Sequence, residues 1–438
     1  MQRSWYPLCI ILLCVRLVLF AASPLRTTSK SLSLTFQNLP ELKKYTAPSP
    51  TTIKRWLQKV GYYKLKHPKA IADDWMVIID ASIQMGSQKC VIILGCQQTN
   101  LPMNRALTLQ DLEILSLRVV SNLTSKLITQ ELYSMKAIIG KIVCVCCDQG
   151  SDMLRGVKDF QLNNPETRLI NDTAHRVANI LEATLEKNEP WIKFREKVTH
   201  SRRKMQNSLV AGALAPSPRT KARYMNVDAL IKWAVDMLIL LDKGISTPEL
   251  DIGELRKYLN WLESYREEIF YWNRLISIGM AARDLIRMEG IHMNIVENFE
   301  DSISSIGVGH RELQFADKIS LFLSKQSQGF KTGERFLGST EVLESFFGKL
   351  KFMEQEQTAF GFTSLVLAAA AYVGPTNDNT INEAVVLIKQ SAIDEWSINE
   401  IGKSIQSQRR VVSKMVKKLT TEMEQSFSGI LEEEAACF

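Results

Sequence analysis

Two apolar runs of this 438-residue chain end on an aspartate, and both have the composition of β-strands. The first is WMVIID, residues 75–80, and the second is KIVCVCCD, residues 141–148. Aspartate is common just beyond a strand simply because it favours turns. The alternative is that Asp80 and Asp148 belong to one metal site at the strand ends of a sheet. That alternative requires a third acid and a fold that brings the two strand ends together.

The segments around these runs predict a specific order of elements. Apolar runs at 89–95 and 112–120 predict two more strands after the first, and residues 124–139 carry apolar side chains at helical spacing. After Asp148 the pattern predicts a short helix, a fifth strand at 167–170 and another helix. The predicted order is therefore three strands, helix, strand, helix, strand, helix.

This order resembles the ribonuclease H-like topology, in which three antiparallel strands are extended by parallel strands that are reached through helices. In that fold the first catalytic aspartate lies on the first strand and the second at the end of the fourth, which are the positions of Asp80 and Asp148. The resemblance implies an α/β fold: a ribonuclease H-like mixed sheet with helices, interrupted by an all-α insertion and flanked by helical N- and C-terminal regions.

A third acid is found in STEVLESFFGKLK, which predicts a helix beginning at Ser339 or Thr340. Glu341 needs no further explanation, because the helix dipole favours an acid in the first turn. Glu344 has no Ser or Thr three positions before it and so forms no capping box. ESFFGKLK resembles the segment around the catalytic glutamate of integrase-like bacterial transposases, in which a lysine follows seven positions later. The resemblance implies that Glu344 is catalytic, with Glu341 as the fallback, and that Lys351 contacts DNA.

A second motif bears on the insertion. DTAHRVANIL, with Asp172 and His175 near its start, resembles the Cys/Asp-x-x-His element of hAT-like transposases, which also carry a large helical insertion before the last catalytic helix. Residues 190–334 lack strand alternation and are rich in helical pattern. His175 is thus a candidate accessory residue, and a hydrogen-bonded residue at a helix start is the alternative interpretation.

These motifs together resemble the DDE transposases, and that resemblance implies a function. We expect an insertion-sequence-type DNA transposase in which Asp80, Asp148 and Glu344 bind two Mg²⁺ ions about 4 Å apart, with Mn²⁺ able to substitute. The implied partners are the double-stranded DNA of the element ends and of the target, bound by a homo-oligomer. Two alternatives stay open: a ribonuclease H-like nuclease or resolvase without strand transfer, and an inactive domesticated copy that only binds DNA.

Charge and helical pattern indicate where DNA would bind. The net charge is +7, concentrated in local clusters, and such clusters attract polyanions. Residues 50–66 predict a helix, capped by Ser49, that suits a helix-turn-helix-like unit and presents basic residues, among them Lys54, Arg55 and Lys59. Further basic residues, Arg202, Arg203 and Lys204, stand in a segment that we expect to be a loop along the DNA backbone. A solvated amphipathic helix and a solvated basic linker are the alternatives.

The chain divides into five predicted regions. Residues 1–23 imitate a signal peptide, but Arg16 interrupts the apolar run, so we expect a buried helix and no membrane partner. The eight cysteines have no matching histidine spacing for a zinc site, and we expect a reducing cytoplasmic, nucleoid-associated setting without disulfides. The regions are an N-terminal helical, helix-turn-helix-like DNA-binding region (1–70), the first part of the catalytic core (71–189), the all-helical insertion (190–334), the final helix segment of the core (335–372) and a C-terminal helical region (373–438).

Overall fold

A five-stranded mixed sheet forms the centre of the chain. The computed structural model describes residues 6–85, 88–217, 227–247, 250–355, 362–402 and 409–421, with the backbone alone at 82–85 and 354–355. The strands are β1 Ala72–Met85, β2 Gln88–Gln97, β3 Glu113–Val120, β4 Gly140–Cys147 and β5 Arg168–Asn171. Their order across the sheet is β3-β2-β1-β4-β5, in which β1, β2 and β3 pair antiparallel and β4 and β5 extend the sheet in parallel.

The parallel strands are reached through helices, because parallel neighbours need a long crossover connection. Helix α4, Ser125–Ile139, leads into β4 and helix α5, Ser151–Gln161, leads toward β5. Gly140 makes the turn from α4 into β4 with φ at 93°, a backbone angle that favours glycine. A Cβ there would lie 2.3 Å from the Ala72 carbonyl oxygen. The predicted ribonuclease H-like α/β fold class is confirmed.

Both faces of the sheet are buried, which explains why its strands are nearly continuous apolar runs. Along β1, Trp75, Val77 and Ile79 face a core shared with α4 and α5. Met76 and Ile78 face the larger core on the opposite side. The alternation is the period-2 pattern of a strand, hidden in the sequence because both faces are covered.

Helices dominate the segment between β5 and the last helix of the core. The helices that follow β5 are α6 Thr173–Leu185, α7 Glu189–Met205, α8 Val227–Lys243, α9 Ile252–Leu259, α10 Arg266–Glu289, α11 Ile295–Ile303 and α12 His310–Ser327. Two short strands, β6 Ile291–His292 and β7 Arg335–Phe336, pair antiparallel near the end of this segment. Helix α13, Glu341–Gln355, follows them and packs against β1.

The N-terminal helices pack onto helices from the C-terminal part of the chain. They are α1 Leu8–Leu19, α2 Leu25–Asn38 and α3 Pro50–Lys66, and their partners include α14 Leu365–Ala370, α15 Asp378–Leu387 and α16 Gln390–Glu400. The predicted helix at the N-terminus is observed, with one side of α1 buried. Within the described residues, no helix combines the length and the apolar character needed to cross a membrane.

Helix α3 is capped as its sequence predicts but is more deeply packed than an isolated DNA-binding helix. The Ser49 hydroxyl accepts a hydrogen bond from the Thr52 N–H, and Pro50 occupies the first turn. Gly61 lets α3 approach α14 very closely, because a Cβ at this position would collide with the Leu367 carbonyl oxygen. The helix therefore belongs to the main core.

Candidate active site

The sheet register brings Asp80 and Asp148 together. Strands β1 and β4 run parallel, and Ile79 is paired with Cys147. The next residue on each strand is one of the two aspartates, so their carboxylates leave the sheet at neighbouring positions. The prediction that β1 ends at Asp80 is wrong, because the strand continues to Met85. Its pairing with β2 shifts register between Asp80 and Ile83, an irregularity that is common beside active sites.

Burial and like charge perturb Asp80. Burial, followed by the negative charge of Asp148, raises the pKa of Asp80 to about 6. The Ala81 N–H opposes this shift by donating to Asp80 Oδ1 at 2.5 Å. Asp148 Oδ1 accepts a hydrogen bond from the Gly150 N–H at 3.1 Å. Because the charge of Asp148 disfavours the ionised form of Asp80, a cation bound beside Asp80 would relieve this cost.

A histidine adds positive charge near this pair. Asp172 caps α6, and its Oδ2 pairs with Nδ1 of His175. The hydrogen bond to Asp172 raises the pKa of His175 to about 9, with smaller contributions from Asp148 and Asp80. The imidazole is therefore protonated at neutral pH, and its charge lowers the pKa of Asp80 in return.

Helix α13 carries both candidates for the third acid, Glu341 and Glu344, and the two carboxylates have different surroundings. The Glu341 N–H donates to Ser339 Oγ at 3.1 Å, so the helix begins where its sequence predicts. Glu341 forms an ion pair with Arg283 of α10, with 2.5 Å between Oε1 and Nη2. Glu344 is exposed, and its charge acts on Arg283. Because Glu341 is already paired, Glu344 is the freer carboxylate of the two.

The fit of the site to a metal ion rests on the aspartate pair. Asp80 and Asp148 supply oxygen ligands, which Mg²⁺ prefers, and their mutual repulsion favours a cation between them. Glu344 is absent from the charges that shift the pKa of Asp80. In the described part of the chain, no group of three or more His, Cys, Asp or Glu side chains is close enough to hold a metal ion. The structure thus brings together two of the three predicted ligands.

A basic cavity adjoins the start of α13. It has a volume of about 580 Å³ and is lined by residues of the β2–β3 connection, α10 and residues 335–345. Its charged lining residues include Arg105, Arg283, Arg287, Arg335, Glu341 and Glu344. Asp111 neutralises Arg105 through two hydrogen bonds, and Glu341 neutralises Arg283. Arg287 is exposed, and the buried Nε of Arg335 has no hydrogen-bond partner.

The predicted DNA-binding residues differ in their exposure to solvent and in their hydrogen bonds within the protein. Lys54 and Lys59 are half-buried, and Lys59 Nζ donates to the Val385 carbonyl oxygen at 3.0 Å. Arg55 and Lys351 are exposed. Among the three predicted DNA-binding residues on α3, Arg55 therefore has the most accessible charge.

The predicted loop at 202–204 is instead helical. Arg202, Arg203 and Lys204 form the last turn of α7, where basic side chains interact favourably with the helix dipole. Arg202 also donates to the Ala215 carbonyl oxygen and to Ser217 Oγ, whereas Arg203 and Lys204 are exposed. The remaining basic residues of that predicted loop, Arg219, Lys221 and Arg223, lie outside the described residues.

Several residues of this region were not identified from sequence. Arg283 lies within a long stretch of helical pattern, and nothing in that pattern predicts a functional residue. Its pairing with Glu341 depends on how the insertion packs. Thr340 was predicted only as a helix start, yet its Oγ1 donates to Asp172 Oδ2 at 2.8 Å. The Asp-x-x-His spacing predicted that residues 172–175 begin a helix, but nothing in it indicates that contact.

A distant similarity to known proteins is found among solved structures. No protein-family model matches the chain, and no curated protein matches it. Among solved structures, the chain is similar to the Drosophila P element transposase strand transfer complex, with 12% sequence identity and a TM-score of 0.39. The similarity covers 87% of this chain and 94% of that chain. A likeness at this level carries no conclusion about the activity of this chain.

Proposed function

We propose that this chain is a DDE transposase that cleaves DNA and transfers the freed end to target DNA, with Mg²⁺ as cofactor. The observation that carries the proposal is the pairing of Ile79 with Cys147. That register sets Asp80 and Asp148 side by side at the switch between the antiparallel and parallel parts of a ribonuclease H-like sheet. The half-buried like-charge pair is costly without a cation, which is typical of a functional site.

Asp80, Asp148 and Glu344 would hold the metal, with Glu344 reaching the pair from α13. Mg²⁺ or Mn²⁺ bound there would polarise the phosphoryl oxygens and stabilise the attacking and leaving oxygens of the displacement. His175 would offset part of the negative charge of the aspartates near the phosphodiester. The exposed Lys351, seven residues after Glu344 and so on a similar face of α13, would contact the DNA backbone.

The basic cavity supports a polyanionic substrate. It lies against the first turns of α13 and contains Glu344 together with four arginines. Guanidinium groups bind phosphate oxygens in a bidentate manner. Arg287 is the candidate for contacts with DNA phosphates, because Arg105 and Arg283 already pair with acids and Arg335 donates to the Pro102 carbonyl oxygen. We infer that double-stranded DNA passes this cavity and that a homo-oligomer holds the paired ends.

The test uses purified full-length protein and a supercoiled plasmid carrying the DNA that flanks the gene. Wild type, Asp148→Asn and the control Asp152→Asn are compared in Mg²⁺ and in EDTA. Asp152 is an exposed acid in the first turn of α5, four residues from the site. We expect Mg²⁺-dependent breaks at the flanks, reduced about 10³-fold or more in Asp148→Asn and retained in the control, because metal ligation supplies several kcal/mol.

Other outcomes separate the alternatives. Cleavage that Asp148→Asn leaves unchanged would refute the proposed site. Breaks without joining to target DNA would indicate a nuclease or resolvase. Binding to the flanks without any cutting would indicate an inactive copy that only binds DNA.

A further inference from the structure

Asp172 connects the two halves of the candidate site. Its side chain is 1% exposed, although it carries a negative charge that burial disfavours. Its main-chain N–H donates to the carbonyl oxygen of Cys147, the residue before Asp148, at 2.9 Å. Its carboxylate accepts a hydrogen bond from Thr340, which lies in the segment that begins α13. The residue thus contacts both the strand that carries Asp148 and the start of the helix that carries Glu344.

The carboxylate of Asp172 is fully engaged. Oδ1 accepts the Ala174 N–H at 3.0 Å, and Oδ2 accepts the Thr340 hydroxyl at 2.8 Å and pairs with His175. A helix cap alone would need one acceptor, which Ser or Asn also provides. Here one carboxylate serves three donors, and the third donor comes from a segment 168 residues away. Both oxygens therefore have partners within the protein.

A second bond reinforces the connection. The Thr173 N–H donates to the Gly338 carbonyl oxygen at 3.0 Å. Thr340 is 3% exposed and stands four residues, about one helical turn, before Glu344. The junction 172–173 therefore holds residues 338–340 in place through two hydrogen bonds, one from the main chain and one to a buried side chain.

We propose that Asp172 is a positioning residue that, through Thr340, fixes the start of α13 and hence Glu344 relative to Asp148. The inference rests on the proposed function, since it assigns Asp172 to the assembly of that metal site. His175 is part of the same unit, because Nδ1 is bonded to Asp172 Oδ2 and its charge acts on Asp80. Groups that orient metal ligands typically change metal affinity about 10- to 100-fold when they are removed.

The first test removes only the connecting bond. Thr340→Val deletes the hydroxyl and keeps the volume of the side chain. The matched control is Thr184→Val in α6, whose hydroxyl bonds only to the Ile180 carbonyl oxygen of its own helix. We expect Thr340→Val to raise the Mg²⁺ concentration for half-maximal cleavage about 10-fold, with a smaller deficit in Mn²⁺. Thr184→Val should keep the wild-type Mg²⁺ requirement.

A second readout does not depend on cleavage. Mg²⁺ binding to the DNA-free protein is measured by titration calorimetry for wild type, Thr340→Val and Asp172→Asn. We expect both variants to bind Mg²⁺ about 10-fold more weakly than wild type while keeping a cooperative thermal transition. Unchanged Mg²⁺ affinity together with a lowered Tm would overturn the positioning role and leave Asp172 as a stabilising cap.

The two inferences fail in different ways. If wild type binds Mg²⁺ but cuts no DNA, the proposed strand cleavage is refuted, and the calorimetry still decides the positioning role. If wild type cleaves DNA and Thr340→Val has the wild-type Mg²⁺ requirement and affinity, the positioning role alone is refuted. If wild type neither cleaves DNA nor binds Mg²⁺, both are refuted.

Discussion

The aspartate pair Asp80 and Asp148 and the basic helix α3 were both predicted as functional sites. Different interactions hold the side chains of the two regions in place. Asp80 and Asp148 are neighbours because two backbone segments pair in register. On α3, Lys59 and Lys64 are held by partners more than 300 residues away, such as the Val385 carbonyl oxygen that Lys59 contacts. Backbone pairing follows from local periodicity, whereas the exposure of a helix face depends on the helix that covers it.

Lys64 shows how far this covering extends. Lys64 belongs to the helix predicted at 50–66 to present basic residues, but its side chain is only 8% exposed. Its Nζ donates to the carbonyl oxygens of Ala371, Val373 and Gly374 at 2.7 to 2.9 Å and to Thr376 Oγ1. Those carbonyls follow the end of α14, where a positive charge is favourable. Lys64 therefore has a structural role, because its Nζ connects α3 to the segment that follows α14.

The largest predicted effect tests the close approach of α3 and α14. In Gly61→Val the new side chain would meet the Leu367 carbonyl oxygen, a backbone atom that cannot move alone. We expect a loss of about 3 kcal/mol or more in the free energy of unfolding, measured by urea denaturation. The control is Gly348→Ala in α13, where a Cβ meets nothing within 4 Å and stability should rise by up to about 1 kcal/mol. A Gly61→Val protein as stable as wild type would show that α3 is not part of the core.

The next effect concerns the buried lysine. Lys64→Met leaves three carbonyl oxygens without their donor, and we expect a loss of about 2 to 4 kcal/mol at pH 7 by urea denaturation. Lys66→Met, on the exposed end of the same helix, should change stability by less than about 0.5 kcal/mol. Equal effects of the two substitutions would contradict the structural role of Lys64.

The same variant has a predicted pH dependence. Burial lowers the pKa of Lys64 to about 7, below the value of about 10.4 in an unfolded chain. Between these values the unfolded state binds more protons, so wild-type stability should rise with pH relative to Lys64→Met. The difference is measured from pH 7 to pH 10. A constant difference would mean that the four acceptors keep the ammonium charged throughout.

The third effect has the opposite sign and lies in the acidic region. Burial beside Asp148 raises the pKa of Asp80 to about 6, so its ionised form opposes folding without a cation. In EDTA at pH 7 we expect Asp80→Asn to stabilise the protein by about 1 to 3 kcal/mol. The gain should shrink as pH falls below 6, because wild-type Asp80 is then protonated in the folded state. Asp152→Asn should instead lose about 0.5 kcal/mol, since its charge favours the α5 dipole. A destabilised Asp80→Asn would show that the pair is not under repulsion.

The difference between the aspartate pair and helix α3 also shows which features could be predicted from the sequence. The order of strands and helices, the strand that ends just before Asp148 and the start of α13 follow from local patterns of two to four residues, and the structure has them. The strand that continues past Asp80, the helical setting of Arg202, and the pairing of Glu341 with Arg283 were not predicted. Each depends on contacts between segments that are distant in the chain. The spacing of residues within one segment does not predict which helix will cover which face.

The smallest effect distinguishes exposed from engaged basic residues on α3. Arg55 is exposed, whereas Lys59 donates to Val385. If α3 borders the DNA, Arg55→Ala should weaken DNA binding a few-fold at moderate salt and reduce the slope of log affinity against log salt by about 1, the result of losing one phosphate contact. Lys59→Ala should leave both unchanged and lower stability instead, because a half-buried carbonyl loses its donor. Fluorescence anisotropy with a labelled duplex at several salt concentrations measures both quantities. Equal slopes for Arg55→Ala and wild type would place the DNA elsewhere, on the basic cavity beside α13 rather than on the N-terminal helices.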